Sequence, residues 1–85
     1  MSATPVRAAL ADDQALVRAG LRALLERHGI VIVFEADSGT TLLEQLASHS
    51  VDVILSDIRM PGLDGIEALT ALRARGDTTP VLLLT

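Results

Sequence analysis

Four short apolar runs alternate with three stretches in which leucines recur at helical spacing, and this alternation organises the whole chain. Residues 6–11 form the first apolar run. Residues 14–28 then place Val17, Leu21, Leu24 and Leu25 at helical spacing, with Arg18, Arg22, Glu26 and Arg27 on other faces. Gly29 follows, in the position where a left-handed residue usually closes a helix. Residues 30–36 are β-branched and continuous, as suits a strand covered on both faces. Asp37, Ser38 and Gly39 make a turn into a shorter helix over 40–48, which carries Leu42, Leu43 and Leu46. Residues 51–56 are the third strand. The loop 57–63 contains Pro61 and Gly62, and Asp64 can cap a third helix reaching about Arg75, with Ile66, Leu69 and Leu72 as its core stripe. Residues 76–79 break that helix, and a fourth apolar strand runs from Pro80 to Thr85.

Strand and helix alternating three times predicts right-handed crossovers and an α/β fold, a parallel sheet with helices on both faces. No linker, repeat or charge block divides the chain, so its 85 residues make one domain, of a size at which a single core is only marginally sufficient. Composition narrows the core: hydrophobic residues are 49% of the chain but Phe34 is its one aromatic, so Leu, Val, Ile and Ala must do the packing. The absence of cysteine removes disulfides, thiolate zinc sites and thiol nucleophiles together. Net charge is −4 and all seven basic residues are arginine, which is not the electrostatic footprint of a nucleic-acid binder. Residues 1–7 hold no apolar leader segment and no apolar run approaches the roughly 18 residues a membrane helix needs, so a cytoplasmic location without membrane contact is expected.

The chemistry lies where the apolar runs stop. Asp12 and Asp13 close the first run and Asp57 closes the third. In an open parallel sheet, ligands bind in the crevice outside the carboxyl ends of the strands, so acids delivered there from two strands converge. Clustered carboxylates suit a hard cation, and Mg²⁺ typically binds one or two carboxylates together with a phosphate. Each acid also has a purely structural reading. Asp12 or Asp13 could cap the first helix and Asp57 could form a turn, but only one of the adjacent pair can occupy an N-cap. The other places charge beside charge unless a cation offsets it. Asp64, one residue before Gly65, reads as a cap. His28 and His49 lie at helix ends, away from the acids, as solvated surface residues.

The joint spacing carries a resemblance. Asp12-Asp13, then Leu55-Ser56-Asp57-Ile58-Arg59-Met60-Pro61-Gly62-Leu63-Asp64-Gly65 roughly 44 residues on, then a strand ending in Thr85, resembles the receiver domain of bacterial two-component response regulators. It covers essentially the whole chain. The first helix is similar to that of the subfamily whose receivers precede a LuxR-type helix-turn-helix. The resemblance implies a flavodoxin-like sheet of order 2-1-3-4. It also implies that Asp57 accepts a phosphoryl group from a phosphohistidine on a sensor histidine kinase. Asp13 and Asp57 would bind Mg²⁺, with Asp12 helping directly or through water and the backbone carbonyl of Arg59 adding an oxygen. Thr85 would offer its hydroxyl to a phosphoryl oxygen and act as the switch, while Pro61 and Gly65 shape the loop.

The departures from that pattern set further expectations. The family has a lysine and an aromatic residue in a fifth strand, and this chain has no lysine, tyrosine or tryptophan. Residues 1–85 then read as a receiver fragment without the fourth helix, fifth strand, fifth helix or a DNA-binding output domain. By the resemblance it is expected to be a signalling phosphoacceptor rather than an enzyme. The alternative is a non-phosphorylated module for protein interaction or oligomerisation. With the fourth strand left as an apolar edge, association of copies through Pro80 to Thr85 and the third helix is expected. Two other acid-based sites fail on spacing. A haloacid-dehalogenase-like phosphatase needs an aspartate where Arg59 stands, and an EF-hand beginning at Asp57 meets Arg59 and Pro61 at ligand positions and Ala68 in place of the bidentate glutamate.

Overall fold

The computed structural model describes residues 4–84. Its elements run β1 (Arg7–Ala11), α1 (Ala15–Arg27), β2 (Val31–Ala36), α2 (Gly39–Leu46), β3 (Val53–Asp57), α3 (Gly65–Ala74) and β4 (Val81–Leu84). All pairings are parallel, as the alternation predicts, and the sheet order is β2-β1-β3-β4, the flavodoxin-like order the resemblance implies. No helix among the described residues is long and apolar enough to cross a membrane.

The sheet separates two apolar layers. On one face Ala9, Ala11, Ala36, Leu42, Ile54, Met60, Ala68 and Leu72 form the larger core with α2 and α3. On the other, Ala8, Leu10 and Ile32 meet Leu21 and Leu25 of α1. Leu10, Leu42, Ile54 and Leu72 are the large apolar side chains buried completely, each contributing about 1.5–3 kcal/mol against exposure. The alanines of β1 keep that central strand thin enough for helices to approach from both sides.

Two helical stripes differ from the periodicity. In α1 only Leu21 and Leu25 reach the core, whereas Val17 is 43% and Leu24 is 50% exposed. In α3 the inward face is Gly65, Ala68 and Leu72, and Ile66 is half exposed. The small residues win that face because α3 lies close to the sheet and to α2, where a larger side chain would hold the layers apart.

Helix ends follow local chemistry. Asp64 accepts from the Glu67 amide at 2.8 Å while Glu67 accepts from the Asp64 amide at 3.1 Å, a reciprocal capping box. At the end of α1, Gly29 has φ +79, its amide donates to the Glu26 carbonyl, and the Ile30 amide donates to the Leu25 carbonyl. That double closure needs a left-handed residue, which glycine adopts without steric cost. The same bonding closes α3 at Gly76.

An irregularity in β2 re-aims two side chains. Ala8 pairs with Ile32 but Ala9 pairs with Phe34, so Val33 is an extra residue in β2. Strict alternation would put Phe34 on the α1 side with Ile32. The bulge instead turns Phe34 to the larger core and Glu35, opposite Leu10, to the α1 side. Bulges commonly redirect side chains in this way.

Candidate functional site

β1 crosses to β2 on one side and β3 lies on its other side, so the point where the strand order reverses is between β1 and β3. The crevice outside their carboxyl ends is the ligand position of such sheets. Ala11 and Ser56 are register partners, so the chain leaves both strands at one level, with Asp12 following Ala11 and Asp57 ending β3. One carboxylate oxygen each from Asp12, Asp13 and Asp57 lies within 4.8 Å of the others. A cavity of ≈ 480 Å³ opens there, lined by Asp13, Gln14, Asp57, Ile58 and Arg59.

Neither member of the acidic pair serves as the helix cap. The N-cap of α1 is Gln14, and its side chain makes no capping bond. Asp12 is buried: its amide donates to the Ala36 carbonyl at 3.0 Å and its Oδ1 accepts from the Gln14 amide at 2.8 Å. Asp13 is exposed at the cavity wall. Its capping role excluded, the pair remains as two acids at a strand end facing a third. The donor set fits a hard divalent cation, because three hard carboxylate oxygens at this spacing surround space for one ion and still leave room for water.

Asp57 is held by its surroundings. Its Oδ1 accepts weakly from the Arg59 amide at 3.3 Å, and its carbonyl accepts from the buried Ser56 hydroxyl at 2.9 Å. The loop returns over the strand end, where the Ile58 amide donates to Leu84 and the Gly65 amide donates to Ile58. Met60 is buried and pins this loop from beneath. Arg59 lines the cavity with its side chain exposed. Thr85, expected at the end of β4 beside the acids, lies outside the described residues. His28 and His49 are exposed and away from the cavity.

Arg18 and Arg22, which the helical spacing places off the leucine stripe, reach the strand beside the site. Arg18 Nε donates to Glu35 at 2.9 Å, Arg22 donates to the other Glu35 oxygen at 2.5 Å, and a second Arg18 nitrogen donates to the Asp12 carbonyl at 2.7 Å. The Arg22 hydrogen bond, with that of Arg18, holds the Glu35 carboxyl below its ordinary range despite partial burial. The signal for this network was the one acid inside an otherwise apolar strand run.

Residues 8–85 match the family profile described as response regulator receiver domain. The chain is 39% identical over 84 residues to the nitrate/nitrite response regulator protein NarP of Escherichia coli (strain K12), covering 98% of this chain and 39% of that protein. It therefore spans about two fifths of that relative's length. Among solved structures, a LuxR-family two-component response regulator from Aurantimonas sp. SI85-9A1 superposes with a TM-score of 0.88 at 31% identity, covering 94% of this chain and 58% of that one. The MaeR response regulator bound to beryllium trifluoride superposes with a TM-score of 0.84 at 30% identity, covering 94% of this chain and 66% of that one.

Proposed function

The chain belongs to the response regulator receiver domains, and from that premise we propose that, in the cytoplasm, Asp57 takes a phosphoryl group from a phosphohistidine of a sensor histidine kinase. The observation that carries this reading is the convergence of Asp12, Asp13 and Asp57 at the reversal point of the sheet, with both members of the adjacent pair free of helix capping. A carboxylate oxygen of Asp57 attacks phosphorus as the P–N bond to the histidine breaks, and the departing imidazole takes a proton from solvent. Asp12, Asp13 and Asp57, with the Arg59 carbonyl, would hold Mg²⁺. When bound, that ion offsets charge between the acids and the phosphoryl oxygens. The chain's own part is positioning: the Arg59 amide orients the Asp57 carboxylate, and Ser56 fixes the carbonyl behind it. Thr85 would donate its hydroxyl to a phosphoryl oxygen and transmit the change. The readout would be a DNA-binding output domain, as in a transcriptional regulator.

The test is exposure of the protein to acetyl phosphate or beryllofluoride with and without Mg²⁺, followed by mass spectrometry and NMR. With no lysine in residues 1–85 to neutralise the phosphoryl group, modification should be slow, dependent on Mg²⁺, located on Asp57 and lost in Asp57→Asn. If neither reagent engages Asp57, the chain is the non-phosphorylated interaction module instead.

We also propose that copies of the 85-residue chain associate across β4. Leu82 is 54% exposed, and β4 is an edge strand with no charge inside it. Such an edge offers unpaired backbone groups to a second strand. Light scattering after size exclusion should give a dimer or larger species, dispersed by Leu82→Lys. A well-folded monomer at micromolar concentration would remove this proposal.

A further inference from the structure

Asp13 is the member of the acid cluster whose side chain has the least support. It is exposed, and its side-chain oxygens have no hydrogen-bond donor among the described residues. Whatever aims it must act through the backbone. The Asp12 carbonyl and the Asp13 amide share one rigid peptide plane, so fixing that carbonyl fixes the direction in which the chain enters Asp13. The carbonyl is held by Arg18 at 2.7 Å, from one turn into α1.

Arg18 is itself fixed. Its Nε donates to Glu35 at 2.9 Å, and the other Glu35 oxygen is taken by Arg22. Glu35 faces these arginines because Val33 is the extra residue of the bulge. One residue further along β2, the Ala36 carbonyl accepts the Asp12 amide at 3.0 Å. Both polar backbone groups of Asp12 are thus referred to the end of β2, one directly and one through the Glu35–Arg18 pair. A guanidinium can do this because it presents donors in a planar fork, one to each partner. Arg18, Arg22, Glu35 and Glu26 together carry no net charge, so the network orients the pocket without repelling a cation from it.

We infer that Arg18 is a positioning residue: locked by Glu35 of the bulged strand, it holds the Asp12 carbonyl and thereby aims the Asp13 carboxylate at the cation site. Its role in cation binding rests on the function proposed above, whereas its hold on the Asp13 backbone does not.

The experiment compares Arg18→Gln with Arg22→Gln, since both remove a partner of Glu35 but only the first releases the Asp12 carbonyl. Two readouts are taken by NMR: Mg²⁺ affinity from amide titration, and, in metal-free protein, the Asp13 amide shift and backbone order from ¹⁵N relaxation against those of Ala9 and Leu10. Partners that orient metal ligands typically matter by about 10- to 100-fold in affinity. Arg18→Gln should therefore weaken Mg²⁺ about tenfold, shift the Asp13 amide and lower its backbone order, and Arg22→Gln should leave the affinity within about twofold and the Asp13 amide unchanged. Arg18→Lys should recover only part of the loss, because one ammonium replaces two fixed donors. It also carries the comparison if Arg18→Gln fails to fold. Equal effects of the Arg18 and Arg22 variants, or an Asp13 amide unchanged in Arg18→Gln, would overturn the inference. If the unaltered protein takes up no Mg²⁺, the cation site of the proposed function fails. The metal-free Asp13 amide then still decides whether Arg18 positions that residue.

Discussion

Gly65→Ala should lower the melting temperature by about 10 °C or more, although it places the best helix former in the first turn of a helix. Propensity alone favours alanine over glycine by about 1 kcal/mol within a helix. Space decides otherwise. A Cβ at Gly65 would collide with the Asp57 carbonyl oxygen and stand 3.1 Å from Ser56 Oγ. The nearest obstacle is backbone at the end of a central strand, so no side-chain rotation relieves it. Overpacking against groups that cannot yield costs about 1–3 kcal/mol, and this contact belongs at the upper end. In a domain of this size each kcal/mol is worth about 4–8 °C. Gly20→Ala is the opposite case, because nothing lies within 4 Å of a Cβ there and the residue sits inside α1. It should raise the melting temperature by a few degrees, through a gain of about 0.5–1 kcal/mol. Thermal unfolding of the two variants followed by circular dichroism tests the pair. A Gly65→Ala protein as stable as the unaltered one would mean that α3 can withdraw from the strand end, and with it the loop that frames Asp57.

The same contact explains what the sequence could and could not reveal. The elements were legible because each strand is a short apolar run ended by a polar residue, and because Gly29 and Asp64 carry their turn and cap chemistry locally, whereas the strand order came from the family resemblance. The convergence of Asp12, Asp13 and Asp57 was legible for a topological reason: acids at the ends of adjacent parallel strands have one crevice to share. Depth was harder. Leucines at helical spacing marked Leu24 and Ile66 for the core, yet both are half exposed, since the stripe that faces a sheet is set by how closely the helix approaches it. In α3 that approach is governed by Gly65 and Ala68, whose lack of bulk gives no signal in a hydrophobic pattern. The direction of Glu35 depends on an extra residue in β2 that no periodicity announces. With the bulge unseen, Arg18 and Arg22 read only as residues off the leucine stripe and not as partners of that strand.

Asp13→Ala should produce two changes of opposite sign, and together they separate a cation site from a cluster of surface acids. In the metal-free protein, removing one of three carboxylates whose oxygens approach within 4.8 Å relieves like-charge repulsion, so the melting temperature at low salt should rise. In the unaltered protein Mg²⁺ should raise the melting temperature progressively, since a ligand that binds only the folded state stabilises it by RT ln(1 + [L]/Kd). In Asp13→Ala that dependence should vanish over the same concentration range. Among the described residues Asp13 has no side-chain donor and does not cap α1, so its loss removes the proposed ligand without removing a structural contact. Asp12→Ala cannot make the point as cleanly, because Asp12 is buried and its side chain accepts from the Gln14 amide, which would be left unpaired. Thermal scans over a Mg²⁺ series, repeated at high salt to screen the repulsion, provide both readings. Undiminished Mg²⁺ stabilisation in Asp13→Ala would place the ion elsewhere and remove the pocket assignment. A variant that is less stable without metal would show instead that Asp13 supports the fold of the loop.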